Sequence, residues 1–334
     1  MAVIETQAIP VREMSQAGQV RRAAAVLAES IGFDSEETGR VGLVATEAAT
    51  NLVKHAQGGE IVLSTVREPE MRAVEIVALD RGPGIRDLDR ALRDGFSTRE
   101  GSIGGGLGAI RRIATCFDLY SGETGTILFA RVGAEPRGDA SAIEVGAVQV
   151  PCPGEELSGD AWAVAHRPDR TLVLVVDGLG HGADAHAASS LAARLFLEHT
   201  DEGPVSILER IHEGLRATRG AAGAVLELDL QERVGRFVGI GNISASVHAP
   251  GEQRSMVSHH GVLGHSVRKV HEFVYPWPRR ALVLLHTDGI ATHWDLARYP
   301  GLQHRHPAVI AGALYRDFGR GRDDATAVAL REAA

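Results

Sequence analysis

Lysine is nearly absent. Of 35 basic residues only Lys54 and Lys269 are lysines, and acidic residues outnumber the basic ones at 43, leaving a formal net charge of −8. That sign argues against a nucleic-acid or anionic-membrane surface as the main partner. Cysteine is as scarce: Cys116 and Cys152 cannot build a disulfide framework, which fits a reducing compartment. No apolar run approaches the roughly 18 residues of a membrane span. The opening MAVIETQAIPVRE lacks the basic-then-apolar pattern of a secretion signal. The expected location is the cytoplasm. Neither C-x5-R nor H-E-x-x-H occurs, which argues against a cysteine phosphatase and a zinc protease.

Glycine is in excess, 39 of 334 residues, and shows no G-X-Y period. With 44% hydrophobic and 23% charged residues the composition is globular, and the length suits about two domains. Apolar spacing predicts helices over 15–31 (Val20, Ala24, Leu27, Ile31) and 35–55 (Val41, Val44, Ala48, Leu52), the second capped by Ser35. Strands are expected over 61–66, 73–79 and 126–132, and a helix over 105–114. The polar stretch 135–141 reads as a linker. Beyond it strands are expected over 143–150, 161–166, 172–176, 224–230, 235–240, 244–248, 282–286 and 325–330. Helices are expected over 183–199, 205–218 and 307–318. The pattern suggests an α+β chain of two domains, 1–134 and 142–334.

Three segments of the first domain carry chemistry. Glu47 and Asn51 lie four apart on a predicted helix, followed by Lys54; a carboxylate beside a carboxamide can hold hydrated Mg2+ and orient a nucleophile. Asp80-Arg-Gly82-Pro-Gly84 ends an apolar strand, where a carboxylate can accept an exocyclic amine. Gly104-Gly105-Gly106-Leu107-Gly108 opens a helix, so bare amides and a positive helix end face outward, as phosphates require. In this order the trio resembles the N, G1 and G2 boxes of the GHKL (Bergerat) ATP-binding family, within it the RsbT-like serine kinases and anti-sigma factors, over roughly residues 15–132. The resemblance implies a Bergerat α/β sandwich binding ATP with Mg2+. Asn51 would ligate the ion, Asp80 would read adenine, and Gly104 to Gly108 would wrap the phosphates. Lys54, Gly82, Gly84 and Thr126 would join the nucleotide site, and Asp94-Gly-Phe-Ser-Thr98 would form its lid. Glu47 would be the base of a protein serine kinase. The alternative is a non-catalytic module that senses ATP or binds an anti-sigma partner and regulates the second domain.

In the second domain, carboxylates end or precede strands beside glycine: Asp160 in Ser-Gly-Asp, Asp177 in Asp-Gly178-Leu-Gly-His181-Gly, Asp288 in Thr-Asp-Gly-Ile, and Asp323-Asp324 in Asp-Asp-Ala-Thr. Such groups can meet at one rim of a sheet, and hard oxygen ligands suit Mg2+ or Mn2+. Two such ions about 4 Å apart activate water for in-line attack on a phosphomonoester. The order of these motifs resembles the PPM (type 2C) serine/threonine phosphatases, specifically the SpoIIE and RsbX branch, over roughly residues 142–331. The resemblance implies a PPM-type α-β-β-α sandwich, with Asp160, Asp177, Asp288, Asp323 and the Gly178 carbonyl as ligands of two Mn2+ or Mg2+ ions. Asp324 takes a place beside them, Gly241-Asn242 echoes a family turn, and His181 shapes its loop. The implied partner is a phosphorylated STAS-domain regulator, an anti-sigma antagonist or stressosome-like protein, with a sigma factor or downstream phosphatase as further candidates. Oligomeric state is left open.

Overall fold

A computed structural model describes residues 2–67, 72–92, 106–133 and 141–333. The chain divides into two compact units. One holds Ile4–Asp139 with Leu296–Arg316, the other Ala140–Asp295 with Asp317–Ala334 and the first three residues.

The first unit begins with β1 (Ala2–Val11), α1 (Met14–Ser30), α2 (Ser35–Ala56), β2 (Gly59–Arg67) and β3 (Arg72–Leu79). It continues with a short α3 (Leu88–Ala91), α4 (Gly106–Ile113), β4 (Cys116–Gly122) and β5 (Gly125–Gly133). The strands run in the order β1-β2-β3-β5-β4. Alternation explains the layers. Ile61, Leu63, Val74, Ile76, Ala78, Leu128 and Ala130 form one apolar face with Val20, Ala24, Leu27, Val41, Val44 and Ala48 of the two long helices. The alanines let the helix backbones come close to the sheet. The cap of α2 is Asp34 rather than Ser35: its carboxylate accepts from the N–H of Glu36 (2.9 Å) and Glu37 (2.8 Å), and Glu37 returns a bond to the Asp34 N–H at 2.9 Å. This reciprocal box holds two donors that Ser35, already inside the first turn, cannot reach.

The second unit contains β6 (Ile143–Val150), β7 (Asp160–His166), β8 (Arg170–Gly178), α5 (Ala183–Glu198), α6 (Pro204–Gly214) and β9 (Ala221–Asp229). It goes on with β10 (Val234–Ile240), β11 (Ser244–Ala249), β12 (Glu252–Met256), β13 (Phe273–Pro276), β14 (Leu282–His286) and β15 (Ala325–Glu332). Two antiparallel sheets result, β13-β10-β9-β8-β7 and β12-β11-β14-β15-β6. Between them lie Trp162, Val173, Val175, Leu226 and Phe237 of the first sheet and Val145, Val283, Leu285, Val328 and Leu330 of the second. The alternate residues Leu172, Leu174 and Val176 meet Ala188, Ala192 and Phe196 of α5 and Ile207 and Ile211 of α6. Because both faces of β8 are buried, its sequence is an unbroken apolar run. The predicted helix over 205–218 stops at Gly214, and Leu215–Ala217 tightens into a 3-10 turn.

The helix α7 (Pro307–Phe318) lies in sequence between Asp288 and Asp323, yet through Arg316 it packs with the first unit. There it covers the sheet face opposite α1 and α2. A carbon on Gly312 would stand 3.0 Å from Ile127, 3.2 Å from Leu79 and 3.3 Å from Val77. The His306 ring stacks on Phe129 with centroids 4.4 Å apart, and Asp118 accepts from the His306 N–H at 2.6 Å. Gly312→Val should therefore overpack this face and cost about 1–3 kcal/mol, read as a lower urea midpoint at unchanged m-value. Among the described residues no helix is long and apolar enough to cross a membrane.

Candidate functional site

In the first unit, helical spacing sets Glu47 and Asn51 one turn apart on α2, both half-buried. The start of α4 lies directly on them: a carbon on Gly106 would be 3.0 Å from Glu47 Oε2 and 3.2 Å from Asn51 Oδ1. Among the described residues Asn51 Nδ2 is buried without a hydrogen-bond partner, a donor that a bound polar group would satisfy. Leu107 and Gly108 continue the first turn of α4, and Lys54 is half-buried in the last turn of α2. Gly104, Gly105 and the lid residues Asp94 to Thr98 lie outside the described residues.

Asp80 follows the last residue of β3 and is almost fully buried. Its Oδ1 accepts from the N–H of Gly82 (2.8 Å) and of Thr126 (3.0 Å), so the turn holding Gly82 and Gly84 folds around one carboxylate. Burial pushes this carboxyl above its ordinary range, while the two amides and the Arg316 guanidinium oppose the rise. Arg316 also donates to the Asp80 carbonyl at 3.0 Å and to Thr124 Oγ1 at 3.2 Å. Thr126 and Ser121 share a hydroxyl contact of 3.0 Å. Gly125 has φ +116°, and a carbon there would lie 2.1 Å from the Asp80 carbonyl oxygen. Gly125→Ala is expected to destabilise the first unit by about 2 kcal/mol or more, seen as a lower melting temperature.

In the second unit, strand direction gathers the carboxylates. Asp160 opens β7 opposite Asp177 near the end of β8. Asp288 follows β14 by one residue, and Asp323-Asp324 immediately precede its antiparallel neighbour β15. One bond ties the two sheet ends together: Thr287 Oγ1 donates to Asp160 Oδ2 at 2.8 Å. Asn242, just past β10, donates to Asp288 Oδ2 at 2.7 Å. Asp324 is buried and accepts the Cys152 N–H at 2.8 Å. Gly178 donates its N–H to the Gly159 carbonyl at 3.0 Å. His181 is exposed and meets Glu155 at 2.7 Å.

The electrostatics are those of uncompensated acids. Burial, then the neighbouring charge of Asp177, pushes the Asp160 carboxyl well above the usual range. Asp177 is pushed up to about 7, by burial first and then by Asp288, Asp323 and Asp324, with the Asn242 carboxamide working the other way. Among the described residues Asp160 Oδ1 and Asp324 Oδ2 are buried without a hydrogen-bond partner of good geometry, although Thr326 stands near the first carboxyl and Ser158 and the Gly159 amide near the second. Among the described residues no three His, Cys, Asp or Glu side chains stand at the spacing of a closed ion cage. Hard, anionic, under-satisfied oxygens are nonetheless the donor set that divalent cations take. Asn242, Thr287 and Asp324 gain weight from the structure. The signals in sequence were slight: an Asn after a glycine at a strand end, a Thr before Asp288, and the second of two adjacent acids.

Residues 11–132 match the family model for the histidine kinase-like ATPase domain, and residues 167–332 match that for stage II sporulation protein E, SpoIIE. The chain is similar to the serine/threonine-protein kinase RsbT of Bacillus subtilis (strain 168), 34% identical over 95 residues, spanning 28% of this chain and 71% of that protein. It is also similar to the phosphoserine phosphatase RsbX of the same organism, 25% identical over 138 residues, 41% of this chain and 69% of that one. Two solved structures share the fold at a TM-score of 0.53. One, described under the bacterial stressosome, is 26% identical and covers 57% of this chain and 99% of its own. The other, RsbX in complex with magnesium, is 21% identical and covers 59% and 98%. The chain thus belongs to the histidine kinase-like ATPase family through its N-terminal region, with an RsbT-like serine kinase domain, and its C-terminal region carries a PPM-type phosphatase domain similar to SpoIIE and RsbX.

Proposed function

We propose that the chain writes and erases one mark: phosphate on a serine or threonine of a STAS-domain regulator of the stressosome type. The observation that carries this reading is the gathering of Asp160, Asp177, Asp288, Asp323 and Asp324 at one end of two facing sheets, with two buried carboxylate oxygens lacking partners among the described residues. Asp160, Asp177, Asp288, Asp323 and the Gly178 carbonyl would hold two Mn2+ or Mg2+ ions. When bound, such ions neutralise the carboxylates and activate water for attack on phosphorus. The protein's own part is to fix the acids: Asn242 orients Asp288, Thr287 orients Asp160, and the Cys152 amide orients Asp324. The resemblance to RsbX and to the stressosome structure supports the partner class.

The N-terminal domain, residues 1–134, together with residues 296–316 would bind ATP with Mg2+. Asn51 would serve the ion, Asp80 the adenine amine, and Gly82, Gly84, Gly104 to Gly108, Lys54 and Thr126 the rest of the nucleotide. Glu47 would take the proton from the partner's serine hydroxyl as its oxygen bonds to the γ-phosphorus and ADP departs. Opposed activities in one chain demand reciprocal control.

The test is to incubate the protein with ATP, Mg2+ and STAS-domain proteins, and separately with the phosphorylated proteins and Mn2+. Phosphotransfer in the first mixture and phosphate release in the second are expected. ATP binding without transfer would assign the first unit to sensing, and absence of phosphate release would remove the phosphatase reading.

A further inference from the structure

Five acids at one rim repel a dianionic phosphoester, and bound cations offset only part of that charge. The structure offers a cation on the loop that follows Asp177, one that the motifs do not contain. Arg219 lies between α6 and β9, and its Nη1 stands 3.3 Å from where a side-chain carbon on Gly180 would be. The guanidinium thus lies against the loop that begins with Asp177 and Gly178. Its main chain is held from several sides. Thr218 Oγ1 donates to the Leu215 carbonyl (2.7 Å) and accepts from the Gly220 N–H (3.0 Å). His265 Nε2 meets the Arg219 carbonyl at 3.0 Å, and the Gly220 carbonyl accepts from the Leu179 N–H of the metal loop at 3.0 Å. Gly220 has φ +83°, and a carbon there would stand 2.6 Å from the Leu263 carbonyl oxygen. An over-determined turn therefore carries a side chain that is itself 52% exposed.

The partner of that side chain is Asp184 in the first turn of α5, at 2.7 Å and 69% exposed. An ion pair this open is worth little and yields to a stronger acceptor. A phosphoryl group offers two oxygens to the planar guanidinium fork, a bidentate geometry that lysine cannot match.

We propose that Arg219 is a binding residue for the substrate's phosphoryl group, exchanging Asp184 for phosphate oxygens when a phosphoserine or phosphothreonine side chain enters. The proposal rests on the phosphatase reading above. Its test uses the full chain loaded with Mn2+, titrated with inorganic phosphate by calorimetry and assayed with p-nitrophenyl phosphate. Arg219→Gln is expected to weaken phosphate binding by about tenfold or more and to raise KM by a similar factor, with kcat changed far less. Arg219→Lys is expected to recover only part of the loss, and Asp184→Asn to bind phosphate as well as or better than wild type. Melting curves of the variants confirm that they fold. Wild-type phosphate affinity in Arg219→Gln, with wild-type hydrolysis intact, would overturn the assignment alone. Equal losses in Arg219→Gln and Asp184→Asn would also overturn it, making the pair a staple between loop and helix. A wild-type protein that neither hydrolyses the ester nor binds phosphate would remove the phosphatase reading and this inference together.

Discussion

Asp288→Asn is expected to lower kcat/KM for p-nitrophenyl phosphate by about three orders of magnitude or more while making the metal-free protein more stable. Both effects have one origin. Asn keeps the shape that meets Asn242 but removes a charge whose repulsion is the largest Coulombic contribution at Asp177. In the folded, metal-free protein Asp177 binds its proton up to about pH 7, against 3.8 for an ordinary Asp. Between those values the folded state holds a proton that the unfolded state has lost. Stability therefore falls as pH rises from about 4 through 7. A shift of that size corresponds to up to about 4 kcal/mol once Asp177 is ionised. Urea midpoints at pH 5 and pH 8 in chelator, with and without Mn2+, check this. The wild type should lose stability at pH 8 in chelator and regain it with the ion, and Asp288→Asn should show a shallower pH slope. A flat profile for the chelated wild type would contradict the electrostatic account.

The second large effect concerns Glu47. Glu47→Gln should cut phosphotransfer to a STAS-domain serine by about 10²- to 10⁴-fold, the range a positioned general base supplies. Nucleotide affinity should barely change, because the amide preserves the volume beside Gly106 and leaves Asn51 in place. Single-turnover transfer from radiolabelled ATP, paired with a nucleotide-binding titration, separates the two quantities. Loss of both in parallel would mean that the substitution disturbs the packing of α4 on α2 rather than proton transfer.

Much of the architecture could be read from the chain because its buried strands and amphipathic helices have strong periods. The ends of those strands mark the candidate site, since a carboxylate next to glycine at a strand terminus is a distinctive pattern. Four strands did not announce themselves. β1 carries Pro10 and polar residues; β4 (CFDLYSG) interrupts its apolar residues with Asp118 and ends in Ser-Gly, and β12 (EQRSM) is polar, both lying at sheet edges among the described residues. β13 is four residues ending in Pro276, also at an edge. The displacement of the α2 cap from Ser35 to Asp34 turns on which side chain reaches two amides, a matter of backbone angle rather than residue type. Arg316 and Arg219 were silent for another reason. An arginine's role depends on what lies about 6–7 Å from its backbone, and no local pattern encodes that distance.

Placing α7 with the first unit also gives that unit an order of assembly. Chains emerge from the ribosome N-terminus first, and domains generally fold as they appear. Here α1, α2 and the five-stranded sheet are made early, but the helix covering Val77, Leu79 and Ile127 arrives only with residues 307–316, a few positions ahead of Asp323. The first unit and the acidic rim are therefore finished almost together during synthesis. A nascent chain stalled before residue 307 carries neither a fully covered first-unit sheet nor a full set of rim carboxylates.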